Sequence, residues 1–234
     1  MELSNRLLGI IKMVNKKSQI GIDVGSDHGY IPIYLVKNGI CKRFIASDVK
    51  PLPLEKARKN IENEGLLNKI ELRQGSGLKV VLKNEVNFAI LCGMGGYLIR
   101  DLLEESFDVV SSLEYMILQP MQNIEVLREY IYKRGYEILD ERIVWDEFYY
   151  QIYKIKAGDL KYTDEYKNKY SYFGEKLFQN KDIFVSYALD KRIDDLYKIL
   201  DLLTGNSYLA KKRRIELYGL LKNLEEIKNE YNSE

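Results

Sequence analysis

The segment Ile20-Gly21-Ile22-Asp23-Val24-Gly25-Ser26-Asp27-His28-Gly29-Tyr30 constrains this chain more than any other. An apolar strand closes on an acid, turns through glycines and enters a helix. Such a turn sets a ligand at the carboxyl edge of a parallel sheet, near its switch point. Nicotinamide and flavin dinucleotides favour G-x-G-x-x-G there, because the backbone must approach a pyrophosphate closely. Here Asp27 stands where the second glycine would be, with Asp23 just upstream. Two carboxylates repel a pyrophosphate; they suit a ligand with a cationic head, and S-adenosylmethionine carries an ammonium and a sulfonium. A Walker-type loop is excluded as well, since no G-K-[ST] follows. The plainer reading of Asp23 and Asp27 is as caps of the next helix, but two acids in one turn weigh towards a ligand.

The flanking sequence supplies a sheet for this turn. From Gln19 to about Gly158, β-rich runs alternate with helical patterns, as in a parallel α/β sheet. Strands are expected at Gln19–Val24, Arg43–Asp48, Lys69–Gln74, Val86–Cys92 and Tyr115–Gln119. Helices are expected at Ile31–Lys37, Leu54–Glu64, Tyr97–Glu105 and Ile124–Lys133. A helix behind a cap at Ser4 precedes them, with Leu3, Leu7, Ile10, Ile11 and Val14 at helical spacing. Tyr136–Trp145 and Phe148–Lys156 then lie close enough to pair as an antiparallel hairpin. Five parallel strands followed by a hairpin is the layout of a Rossmann-like, class I methyltransferase sheet, and residues 1–157 are assigned to it.

Beyond Gly158 the β alternation stops. Leu189, Ile193, Leu196, Leu200 and Leu203 form one a/d seam, and Leu217, Leu220, Leu224, Ile227 and Tyr231 form another, with Thr204-Gly205-Asn206-Ser207 between them. This pattern predicts an antiparallel coiled-coil hairpin within a helical domain spanning residues 158–234. Tyr162–Phe178 reads as one further helix at its base.

Composition narrows the chemistry. Lys+Arg total 36 against 35 Asp+Glu, a net charge of +1, so nucleic acid cannot be held by bulk charge and would need a local basic patch. Two cysteines and one histidine leave no disulfide framework and no self-sufficient zinc site, and no metal is expected. No apolar run reaches membrane-spanning length, and the first residues lack the charge-then-apolar order of a signal peptide. A cytoplasmic chain without membrane attachment, monomeric in the simplest case, is the expectation.

The remaining strand ends complete a candidate site. Asp48 closes the second strand about 20 residues after the first turn, where an acid holds ribose hydroxyls. Gln74-Gly75-Ser76-Gly77 closes the third and is placed to border an adenine. Cys92-Gly93-Met94-Gly95-Gly96 closes the fourth, where such enzymes hold the methyl acceptor; its glycines let a planar substrate come close to the backbone. Gln119-Pro120 closes the fifth. Cys92 reads better as a small packed residue than as a nucleophile. His28, at the first turn of a helix, suits capping or support as well as catalysis. Most tyrosines read as amphipathic packing, though a few, among them Tyr149-Tyr150 and Tyr153, suit stacking on bases.

The strings Leu3-Ser4-Asn5-Arg6-Leu7, Asp23-Val24-Gly25-Ser26-Asp27-His28-Gly29-Tyr30-Ile31-Pro32, Cys92-Gly93-Met94-Gly95-Gly96 and Leu118-Gln119-Pro120 resemble the bacterial tRNA adenine-22 N1-methyltransferase family. The likeness runs in order over residues 2 to 157, and the helical tail resembles that family's coiled-coil domain in kind. It implies S-adenosylmethionine-dependent methylation of N1 of one adenine in the D-arm of tRNA. It places Arg6, Asp23, Gly25, Asp27, His28, Tyr30, Asp48, Gly93 and Gly95 at or near the cofactor, to which strand-end position adds Ser76, Gly77 and Cys92. Many members carry an acid where this chain has Ser76.

Neutral adenine N1 already holds a lone pair, so the protein must mainly align it and tolerate the cationic product. Asp27 or His28 is the candidate to accept the amino-group hydrogen, and Gly95 and Gly96 are candidates to meet the acceptor base. Lys211-Lys212-Arg213-Arg214 reads equally as a solvated helix face or as a phosphate grip near the hairpin tip; Lys211, Lys212 and Arg214 are the candidate contacts, with Arg213 turned partly to the seam. The competing reading keeps the methyltransferase fold but gives it a protein or small-molecule substrate, with the hairpin serving oligomerisation.

Overall fold

The computed structural model describes residues 3–15 and 18–233. They fall into two compact units, Met1–Lys161 and Tyr162–Glu234, divided a few residues beyond Gly158.

The first unit opens with α1 (Asn5–Lys12), where the Ser4 hydroxyl accepts from the Leu7 amide as an N-cap. There follow β1 (Ser18–Val24), α2 (Tyr30–Lys37), β2 (Cys41–Asp48), α3 (Pro51–Asn63), β3 (Ile70–Gln74), β4 (Phe88–Gly95) and α4 (Gly96–Glu105). A short α5 (Phe107–Val110), β5 (Tyr115–Gln122), α6 (Ile124–Lys133), β6 (Glu137–Asp146) and β7 (Phe148–Lys156) complete it. Among the described residues, seven strands form one sheet in the order β3-β2-β1-β4-β5-β7-β6. β1 to β5 run parallel, while β7 pairs antiparallel with both β5 and β6. This is the Rossmann-like methyltransferase sheet the alternation predicts. The order reverses beside β1, so the β1 and β4 loops open on a common crevice.

The central strands are apolar because both faces are covered. Ile22, Ile90 and Ile117 are each 0% exposed, and Phe88 stacks on Tyr115 with ring centroids 5.0 Å apart. β4 and β5 extend further than their apolar runs predict, through Gly95 and Gln122, over register shifts at Cys92, Met94 and Gly95.

The second unit is helical: α7 (Asp164–Lys169), α8 (Glu175–Gln179), α9 (Val185–Leu202) and α10 (Tyr208–Ser233). The single helix expected over Tyr162–Phe178 is two short ones, because Gly174 stands extended as the cap of α8. The contacts Asp190–Lys228, Tyr197–Glu225 and Leu203–Arg214 run in opposite directions along α9 and α10, so the two form an antiparallel hairpin. In α9, Leu189, Ile193, Leu196 and Leu200 are buried as expected. In α10 the buried set is Leu217, Leu221, Leu224 and Ile227. Leu221, rather than Leu220, therefore fills the seam.

Candidate functional site

The turn after β1 is held by the neighbouring strand. The amides of Gly25 and Ser26 both donate to the Ser47 carbonyl, at 2.8 and 2.9 Å. Gly25 has φ +78°, a backbone conformation that favours glycine; a Cβ there would also crowd the mobile end of Met94. The turn presents Asp23 at the floor of a cleft of about 360 Å³ lined also by Arg6, Gly25, Ser26, Asp27, His28, Tyr30, Cys92 and Gly93. A second lobe of about 390 Å³ shares Gly25, Asp27, Cys92 and Gly93 and extends past Asp48, Val49, Gly75, Ser76, Gly77, Met94 and Leu98. Each lobe is within the range of small-molecule sites.

Asp23 is 7% exposed and has no ion pair among the described residues. Burial pushes its carboxyl up to about 7; the Ser26 hydroxyl lowers it and the charge of Asp48 raises it again. A buried acid without a cation, facing a cleft, fits a ligand that brings its own positive charge. Asp48 ends β2 and is fixed by the Lys50 amide, which donates to its Oδ1 at 2.8 Å. This pair of acceptors matches a cationic amino-acid head at Asp23 and a ribose at Asp48.

Asp27 and His28 sit at the rim. His28 Nε2 lies 3.2 Å from Asp27 Oδ2, and Lys56 Nζ lies 3.9 Å from Oδ1. The His28 ring stacks on Tyr30 at 5.0 Å, and the His28 carbonyl accepts from Asn60. Cys92 is a free thiol held well above its ordinary value by burial and by Asp23, so it packs against the cleft as a neutral group.

On the opposite wall, sequence reasoning gave Gln119 as the end of the fifth strand but assigned it no role in the site. Gln119, 0% exposed on β5, accepts from Arg6 Nη1 at 2.9 Å and from the Gly93 amide at 3.3 Å. Its Nε2 donates to the Pro120 carbonyl, which fixes the amide's direction. The Arg6 amide donates to Asp146 on the β6–β7 hairpin, and its guanidinium lies 5.8 Å from the Tyr150 ring. A polar side chain at the end of an otherwise buried strand was the available signal.

The structure thus brings together Arg6, Asp23, Gly25, Asp27, His28, Tyr30, Asp48, Ser76, Gly77, Cys92 and Gly93 around two adjoining lobes. Gly95 and Gly96 do not line them. Gly95 pairs with Gln122, and a Cβ on Gly96 would meet the Asn123 carbonyl at 2.1 Å, so that glycine serves the close approach of α4 to the β5–α6 loop. Lys211 and Lys212 lie in the second unit, exposed, with no ion pair among the described residues. Arg213 pairs outward with Glu216, while Arg214 is the half-buried member and donates to the Leu203 carbonyl at the end of α9. That reverses the expected orientation of the two arginines.

Among the described residues no group of three or more His, Cys, Asp or Glu is placed to hold a metal ion, and no helix is long and apolar enough to cross a membrane.

A methyltransferase-domain family matches residues 3–154. Over 160 residues the chain is 35% identical to the tRNA (adenine(22)-N(1))-methyltransferase of Bacillus subtilis (strain 168), covering 68% of this chain and 67% of that one. Streptococcus pneumoniae Sp1610, described as a putative tRNA (m1A22) methyltransferase and solved with S-adenosyl-L-methionine, superposes with a TM-score of 0.84 at 30% identity, covering 97% of this chain and all of that one. M. capricolum TrmK, solved with S-adenosyl-homocysteine, superposes with a TM-score of 0.81 at 28% identity, covering 98% of this chain and 99% of its own.

Proposed function

The chain belongs to the tRNA (adenine-22-N1)-methyltransferase family, and from that premise we propose that it methylates N1 of an adenine in the D-arm of tRNA, using S-adenosylmethionine. The observation that carries the reading is Asp23, a buried acid with no ion pair among the described residues, at the floor of a cleft that adjoins a second acid, Asp48. Asp23 would hold the ammonium of the cofactor's amino-acid head, Asp48 its ribose, and Ser76 and Gly77 the edge of its adenine. When bound, the cofactor supplies an electrophilic methyl on sulfur.

The chain's own task is placement. Adenine N1 needs no base to expose its lone pair, but it lies on the Watson–Crick edge, so the target must be unpaired or flipped out. Gly93, its amide fixed by Gln119, offers a low wall against which a planar ring can lie. Asp27 or His28, held together at the rim, accepts the exocyclic amino hydrogen and favours the positive charge that develops on the ring. Lys211 and Lys212 on α10 supply phosphate contacts as a local basic pair in a chain of near-zero net charge. The test is incubation with unmodified tRNA and S-adenosylmethionine, then mapping of reverse-transcription stops. N1-methyladenine cannot pair, so one stop reports product and position together. Full-length transcripts throughout would overturn the reading.

A further inference from the structure

The tip of the β6–β7 hairpin carries Trp145, Phe148, Tyr149 and Tyr150, four aromatics in six residues, around a turn made by Glu147 at φ +62°. Turns usually carry small polar residues. Here Phe148 is 65% exposed and Trp145 45%. The register pairs Asp146 with Phe148 and Val144 with Tyr150, which puts Phe148 and Tyr150 on one face of the hairpin with Asp146, and Trp145 and Tyr149 on the other. The face of Phe148 and Tyr150 meets the site: Asp146 accepts from the Arg6 amide, and Tyr150 lies beside the Arg6 guanidinium. Phe148 stands 6.3 Å from Tyr150 at 79°, further out. A continuous line therefore runs from Gly93 through Gln119, Arg6 and Tyr150 to Phe148.

We propose that Phe148, backed by Tyr150 and Arg6, is a stacking platform for an unpaired base of the substrate RNA beside the methylated adenine. The inference rests on the function proposed above and names a surface that function requires. An adenine drawn out of its stack leaves its neighbour exposed on one side. A flat ring next to a cation replaces the lost stacking without reading sequence. A single exposed phenylalanine is ordinary; one continuous with a ligand cleft through an arginine has a partner chemistry, a π-face attached to a phosphate backbone.

The experiment compares wild type with Phe148→Leu, which keeps apolar area but removes the ring, and Phe148→Trp, which restores one. The substrate is unmodified tRNA, and 2-aminopurine placed beside the target adenine reports stacking by fluorescence quenching. Phe148→Leu is expected to leave S-adenosylmethionine affinity unchanged, to raise the KM for tRNA roughly five- to a hundred-fold, and to lose most of the quenching. Phe148→Trp is expected to recover both. Wild-type KM and quenching in Phe148→Leu would overturn the proposal, as would a change confined to self-association in light scattering. A wild-type protein that quenches the probe but methylates no tRNA would instead overturn the proposed function and leave the platform standing.

Discussion

Replacing Asp23 with asparagine should stabilise the cofactor-free protein while disabling it. Burial raises this carboxyl from 3.8 to about 7, a shift of roughly three units at about 1.4 kcal/mol each. A group with a raised folded pKa contributes most stability below its unfolded pKa and loses it as pH climbs through the folded one. Relative to a permanently neutral asparagine, wild type is therefore penalised progressively from about pH 4 to pH 7, by about 4 kcal/mol in all, and evenly above that. The variant's stability advantage should grow by about 2–3 kcal/mol between pH 5 and pH 8. Urea titration at the two pH values measures it, and the chain's one tryptophan, Trp145, reports on the first unit. Binding should move oppositely. An ammonium needs the ionised carboxylate, so wild-type affinity for S-adenosylmethionine should fall towards tenfold per unit as pH drops below 7, and the variant should show weak, pH-independent binding. A variant equally destabilised at both pH values would refute the reasoning, because Asp23 would then be part of the packing and not a group held charged against its surroundings.

Asp48→Ala removes a charged acceptor and should weaken cofactor binding about ten- to a hundred-fold by calorimetry, with the melting profile unchanged. Changing Lys211 and Lys212 together to alanine should leave cofactor affinity intact and flatten the slope of log affinity for tRNA against log salt by about 1.4 to 1.8. Arg128→Ala strands Glu141, whose carboxylate the guanidinium meets at 2.6 Å inside the first unit. Chemical denaturation should show a loss of about 3–5 kcal/mol, and a double replacement with apolar residues of similar volume should regain much of it.

What was legible in the sequence is what local chemistry sets. The parallel strands announced themselves as apolar runs ending in Asp23, Asp48 and Cys92, and the cleft formed where those ends meet. Pairings between residues far apart in the chain were not legible. Nothing near Gln119 points to Arg6, 113 positions away, and nothing near Arg128 points to Glu141 and Gln151, which accept from its guanidinium across α6 and the hairpin. The second unit failed differently. Heptad spacing permits Leu220 or Leu221 in the seam, and only the facing residues of α9 decide between them. Tyr162–Phe178 reads as one helical run, and Gly174 was the one sign of the break before α8.

The bond between the Arg6 amide and Asp146 spans 140 positions. At ordinary rates of synthesis, roughly ten to thirty seconds separate the two residues' arrival from the ribosome. The strands that first emerge, β1 to β4, can assemble the acid-bearing half of the cleft while α1 still lacks the hairpin that anchors it. Arg6 takes up its station beside Gln119 only after β5 to β7 have followed. A nascent chain interrupted before the hairpin would thus carry Asp23 and Asp48 without the wall that faces them, and translation itself sets the order in which the site is completed.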